Sequence, residues 1–143
     1  MDKYKQVDAW IKEQLKILSI RSGMNPMELA KEIGMSHTTY YDHRNVPSEF
    51  RVRELRKLDK IARKYGMTVI DDSTIFYDDE HLVEQLDILA IKAHIKTEQM
   101  AEIAGVSPST YSQRRKAPGW FRLCELRKLD VLANHFGVQL FAS

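Results

Sequence analysis

The side chains capable of reactive chemistry are scattered along this chain. His37, His43, His81, His94 and His135 show no spacing, with one another or with Cys124, that would hold a metal ion. Asp78-Asp79-Glu80 sets three carboxylates in a row. Acid–base catalysis needs a positioned carboxyl group of tuned pKa. This run reads instead as a linker and the acidic first turn of a helix starting near His81, where carboxylates meet the positive end of the helix dipole. Ser107 precedes a proline, as a helix N-cap does, and capping accounts for it without a nucleophilic role. No phosphate-binding loop, GxGxxG or nucleophile elbow is present. No enzyme, cofactor or metal site is therefore expected. The chemistry that does recur is ion pairing. The hexapeptide ELRKLD is written twice, at 54–59 and 125–130, and four of its six residues are charged.

Charge is unevenly divided. The net charge of the 143 residues is +2. Residues 71–87 hold seven acids and no Lys or Arg. Residues 37–66 hold eight bases and four acids, and residues 108–137 hold six bases and two acids. Two basic blocks thus flank an acidic one, and local basic density is what a polyanion meets. At 43% hydrophobic and 29% charged the composition is that of a soluble globular protein. Six glycines and four prolines favour helices over a turn-rich β fold. No apolar run approaches bilayer length. The first ten residues, MDKYKQVDAW, lack an apolar signal core, so a cytoplasmic location is expected. A single cysteine excludes an intrachain disulfide and fits a reducing compartment.

The hexapeptide belongs to a longer repeat. Shifted by 71 positions, Gly34 falls on Gly105, Ser36 on Ser107, and Thr39-Tyr40 on Thr110-Tyr111. Arg44 falls on Arg115, Pro47 on Pro118, Phe50-Arg51 on Phe121-Arg122 and Gly66 on Gly137, with no gap from residue 10 onward. That is the mark of a duplicated unit, and it predicts two domains, 1–72 and 73–143. Val7, Trp10, Ile11, Leu15 and Leu18 recur at helical steps, as do Val83, Leu86, Leu89 and Ala90. Asn25-Pro26 starts a short helix over 27–33, which Gly34 ends. Ser36 caps another, to about Arg44. A last helix is expected to bury Leu55, Leu58, Ile61, Ala62 and Tyr65, and its copy Leu126, Leu129, Leu132, Ala133 and Phe136. Ala30 and Ala101 let the short helices approach closely. Tyr40, Tyr111, Phe50 and Phe121 are assigned to the core with Trp10, and Trp120 to a contact surface special to the second unit. In ELRKLD the leucines should face inward, and Glu54, Arg56, Lys57 and their equivalents outward. The outward charges are either a solvated face retained since duplication or a surface that both copies still use. The runs 67–70, 74–77 and 138–141 are β-branched or apolar and could form short strands, with a hairpin across 71–73.

Short helix, glycine turn, short helix is helix-turn-helix grammar. LAKEIGMSHTTYYDHR (29–44) and MAEIAGVSPSTYSQRR (100–115) resemble the lambda-repressor-like helix-turn-helix of the xenobiotic-response-element family of bacterial and phage regulators. LDKIARKYGMT and LDVLANHFGVQ are similar to its closing helix. The resemblance covers most of both units. It implies an all-α fold of two tandem helix-turn-helix domains, four to five helices each, and binding of duplex DNA with the second short helix in the major groove. The base-facing positions it implies are Ser36, His37, Thr38, Tyr41 and Asp42 in the first unit, and Ser107, Pro108, Ser109, Ser112 and Gln113 in the second. Gln113 could pair with adenine, and Asp42 could accept from cytosine N4. Arg44, Asn45, Arg51, Arg114, Arg115, Lys116 and Arg122 are expected at phosphates, which position the protein without specifying sequence.

The expected function is sequence-specific binding of double-stranded DNA by a cytoplasmic, nucleoid-associated transcriptional regulator of phage or mobile-element type. The second unit, with Arg114-Arg115-Lys116, is expected to bind more strongly. A tandem pair could act as a covalent dimer whose reading helices lie roughly 34 Å apart, one DNA turn. No separate ligand-sensing domain is expected, so concentration, self-association or a protein antagonist would regulate it. The alternative is a protein-binding adaptor that keeps the fold without DNA readout, which the negative charge of Asp42 and the modest net charge favour.

Overall fold

In a computed structural model, which describes residues 3–70 and 78–141, the chain divides into two units, Met1–Asp71 and Asp72–Ser143. The described residues are all-α, with eight α-helices and no strand. The first unit holds α1 (Lys3–Ser22), α2 (Pro26–Ile33), α3 (His37–Asn45), a 3-10 turn at Pro47–Glu49, and α4 (Val52–Arg63). The second repeats the order: α5 (Asp79–Ala93), α6 (Thr97–Ala104), α7 (Pro108–Lys116), a 3-10 turn at Pro118–Trp120, and α8 (Leu123–His135).

Each helix starts and stops for a local reason. At the head of α2, the Glu28 amide donates to Asn25 Oδ1 (2.9 Å) and the Asn25 amide donates to Glu28 Oε1 (3.2 Å). This reciprocal box satisfies two amides that the helix itself cannot. At its end, Gly34 has φ 78° and the Met35 amide turns back to the Ala30 carbonyl. Gly105 repeats this at φ 82°, with Val106 donating to Ala101. The left-handed backbone that closes the turn is what favours glycine there. α5 ends with His94 at φ 56°, in the position that Gly23 occupies (φ 72°) after α1. A side chain at that angle costs about 1 kcal/mol.

The core of the first unit is Ile11, Leu15 and Leu18 from α1, Leu29, Ala30 and Ile33 from α2, and Leu55, Leu58 and Ala62 from α4. The second unit buries Leu82, Leu86, Leu89, Met100, Ala101, Ala104, Leu126, Leu129 and Ala133. Tyr40 meets Phe50 edge-on at 6.0 Å between ring centroids, and Tyr111 meets Phe121 at 6.1 Å. Trp10, Ile61, Val83, Ala90 and Leu132 are only half-buried.

Three expectations need correction. Tyr65 and Phe136 are 39% and 37% exposed, not core. They lie beyond the last residues of α4 and α8, where the helical period no longer applies. Gly66 (φ 71°) and Gly137 (φ 68°) reverse the chain there. The 67–70 and 138–141 runs are not strands. They are core plugs: Val69, Val138, Leu140 and Phe141 are buried, and the amides of Met67 and Val138 close helix ends on Ala62 and Ala133. The 74–77 run and the expected 71–73 hairpin lie outside the described residues. Finally, the charges of ELRKLD do not all face outward. Of those expected outward, Glu125 and Arg127 are 6% and 7% exposed; Asp59 and Asp130, for which no side was expected, are 5% and 2% exposed.

Candidate nucleic-acid interface

α3 and α7 are unusual in what they bury. Each is nine residues long, and each buries one side chain fully, Tyr40 and Tyr111 respectively. A helix so short is marginal alone, so its neighbours must hold it while the rest of its surface stays exposed. The two units solve that problem at matching positions.

The heads are fixed by serines. Ser36 Oγ accepts from the Thr39 amide (3.2 Å) and donates to Thr39 Oγ1 (2.8 Å). Ser107 Oγ accepts from the Thr110 amide (3.2 Å) and donates to Thr110 Oγ1 (2.9 Å). These two of the four serines expected to face bases therefore act as caps, which anchor the helix start. Pro108 follows at the first helical position, exposed and without an N–H.

The backs are fixed by the tyrosines and by the repeated glutamate. Burial pushes the Tyr40 phenol up to about 12, with the Arg44 charge acting the other way. It does the same to Tyr111, also to about 12; there Arg115 lowers the value and Asp87 raises it. Glu125 Oε1 accepts from the Arg122 amide (3.0 Å) at the head of α8. The same carboxylate takes Arg114 Nε (3.0 Å) and Nη2 (3.3 Å) in a two-pronged ion pair. Glu54 likewise accepts from the Arg51 amide (2.8 Å), but its α3 partner is His43, whose Nδ1 is 4.0 Å away. The His43 ring stands edge-on to Phe50 at 5.4 Å. So the repeated glutamate joins α3 to α4 and α7 to α8. Sequence reasoning misses that role, although the twofold writing of ELRKLD is its signal.

The repeated aspartate is also internal. Asp59 accepts from Arg63 Nε (2.7 Å), the Val69 amide (3.1 Å) and the Thr68 hydroxyl. The Asp59 carboxylate raises the pKa of Arg63 above its ordinary value, chiefly through that hydrogen bond. It ties the tail of the first unit to α4.

What remains outward is one stripe per helix, at i, i+3, i+4 and i+7. On α3 it reads Thr38, Tyr41, Asp42, Asn45; on α7 it reads Ser109, Ser112, Gln113, Lys116. All eight are exposed, as is His37. Within each unit the structure thus brings most of the expected base-facing residues together. The expected phosphate residues are less uniform. Arg114 is held by Glu125 and its side chain is 14% exposed, so a phosphate would have to compete for it. Arg115 pairs with Asp87 at 2.5 Å, with side chains 33% and 51% exposed. Lys16 stands where Asp87 would be in the first unit, and Arg44 there lies over the Tyr41 ring at 5.0 Å. Arg51 and Arg122 sit at the N-caps of α4 and α8, half-buried. Gln113 borders a cleft of about 350 Å³ that Arg114, Ala117 and the 44%-exposed Trp120 complete.

Among the described residues no group of three His, Cys, Asp or Glu side chains could hold a metal ion. None of their helices is long and apolar enough to cross a membrane. No family model matches the chain, and neither does any curated protein or solved structure.

Proposed function

We propose that this protein is a sequence-specific double-stranded DNA-binding transcriptional regulator of phage or mobile-element type. Its two units are tandem helix-turn-helix domains, and α7 is the principal reading helix. One observation carries the proposal: α7 presents an unbroken polar stripe, Ser109, Ser112, Gln113 and Lys116, while the opposite side is pinned by Tyr111 and by Arg114 on Glu125. A helix with one buried residue serves a partner, not the core. Its side chains are the types that read base edges, with Gln113 able to make a two-point contact to adenine. Lys116 adds a cation at the end of the stripe, and Arg115 can exchange Asp87 for a phosphate at modest cost, since exposed ion pairs contribute little. Regulation would follow from occupancy of a promoter.

Fluorescence anisotropy of the full chain against a library of labelled duplexes, repeated across a salt series, tests the reading. Binding should concentrate on a few duplexes and weaken as salt rises. Gln113→Ala should relax discrimination at one base pair by about 1–3 kcal/mol, and Lys116→Ala should weaken all duplexes alike and lower the salt slope by about one. No binding to any duplex at low salt would sink the proposal.

A further inference from the structure

The outer stripe of α3 is chemically unlike that of α7, and the duplicated unit supplies the reference against which to read it. Tyr41 is 51% exposed and Val46, which follows the helix, is 50% exposed. Ser112 and Ala117 stand at these positions in the second unit. Met27, in the first turn of α2, is 59% exposed where the second unit has Glu98. Charge differs in the same sense. Histidines aside, α3 carries one acid and one base, Asp42 and Arg44, whereas α7 carries three bases and no acid. Asp42 is exposed and makes no ion pair or side-chain hydrogen bond with a described residue.

We infer that Tyr41 and Asp42 of α3, with Val46 at its C-terminal end, form a protein-docking surface for a segment that combines apolar residues with Lys or Arg. This rests on the first unit alone and not on DNA binding by the second. Tyr41 is preorganised as an anchor, because Arg44 lies over one face of its ring at 5.0 Å, and Arg44 in turn is half-buried. A ring packed against a guanidinium loses less entropy on binding than one free in solvent. Exposed Tyr beside Arg is the composition of interface anchors. Asp42 follows Tyr41 on the outer stripe, and Val46 caps the helix end with its amide donating to the Asp42 carbonyl, so an exposed carboxylate lies between two exposed apolar residues along the chain. A duplex meeting this face would bring phosphates towards Asp42, and a basic segment would neutralise it.

NMR on the isotope-labelled full chain tests this. The probes are two amphipathic helical peptides with the same leucine face, one with lysines on its polar face and one with glutamates. The lysine peptide should shift the amides of Tyr41, Asp42 and Val46 and saturate, with the glutamate peptide at least tenfold weaker. The double variant Tyr41→Ser, Val46→Ala installs the second unit's residues at exposed sites. It should lower lysine-peptide affinity at least tenfold while the Tyr40 and Phe50 resonances stay in place. Equal response to both peptides would overturn the inference, as would concentration-dependent shifts of α3 without peptide, which would make the occupant a second copy. A DNA duplex that shifts α3 as strongly as α7 would overturn it too. A duplex that shifts neither helix would sink the DNA reading and leave this one standing.

Discussion

α3 and α7 occupy the same place in two copies of one unit, yet they are held and dressed differently. Behind α7 stands a permanent cation, Arg114, in two-pronged contact with Glu125. Behind α3 its counterpart Glu54 faces His43 at 4.0 Å. In front, α7 is polar and basic, while α3 shows Tyr41, Asp42 and Val46. Duplication therefore retained the frame, namely the serine caps, the glycine turns, the tyrosine–phenylalanine contacts and the glutamate at the head of the last helix. The outer residues diverged. A shared frame with unlike faces is the contrast on which both proposals rest.

The largest expected effect tests the difference behind the helices. Glu125→Ala leaves the Arg114 guanidinium partly buried without its carboxylate and should cost about 3 kcal/mol. Glu54→Ala removes a cap and a long contact to His43 and should cost about 1 kcal/mol. Urea denaturation of each variant, with amide exchange at α3 and α7 to assign the weakened unit, checks this; equal losses would erase the contrast. Next comes Tyr40, whose buried hydroxyl has no hydrogen-bond partner among the described residues. Tyr40→Phe should stabilise the first unit by about 1 kcal/mol, because an unsatisfied buried polar group is removed.

Alkali should treat the two units alike, which sharpens the comparison by showing what they share. A phenol whose folded-state pKa lies above its unfolded value contributes stability that is intact below the ordinary value near 10. That contribution is lost as pH rises through the folded value, about 12 for both Tyr40 and Tyr111. Unfolding should therefore set in between pH 10 and 12, and in Tyr40→Phe the first unit should resist it, as followed by circular dichroism and tyrosinate absorbance. The smallest effects come from exchanging single residues between copies. His94→Gly, which gives α5 the residue that ends α1, should raise stability by about 1 kcal/mol or less. His43→Arg should bring the Glu54 contact closer to the Arg114 geometry and stabilise α3 by about 0.5 kcal/mol; thermal melts read both.

Much of this arrangement is legible in the sequence, because its causes are local. Asn25-Pro26, Gly34, Ser36, Gly105 and Ser107-Pro108 act on their nearest neighbours, so their spacing marks helix ends. The 71-residue offset carries each assignment from one unit to the other. What misleads is non-local or ambiguous. Glu125 meets Arg114 eleven residues away, and nothing in ELRKLD names that partner, so its charges read as surface. Val69 and Leu140 have apolar side chains that suit a strand, but such runs serve equally well as plugs under a helical core. Tyr65 and Phe136 continue a spacing that the backbone abandons at Gly66 and Gly137. For the candidate site, the stripe positions follow from the helix start, whereas the internal engagement of Arg114, Arg115 and Arg44 does not.

The way α3 and α7 are fastened also bears on how such a protein can be re-engineered. The anchors common to both helices lie at the head or on the inner side: one serine, one tyrosine, and a side chain reaching the glutamate. The four outer positions of each helix bear almost no structural duty. A combinatorial library at Ser109, Ser112, Gln113 and Lys116 should therefore fold nearly throughout, and selection could act on recognition with little interference from stability. In this frame, evolvability is a by-product of one-sided attachment.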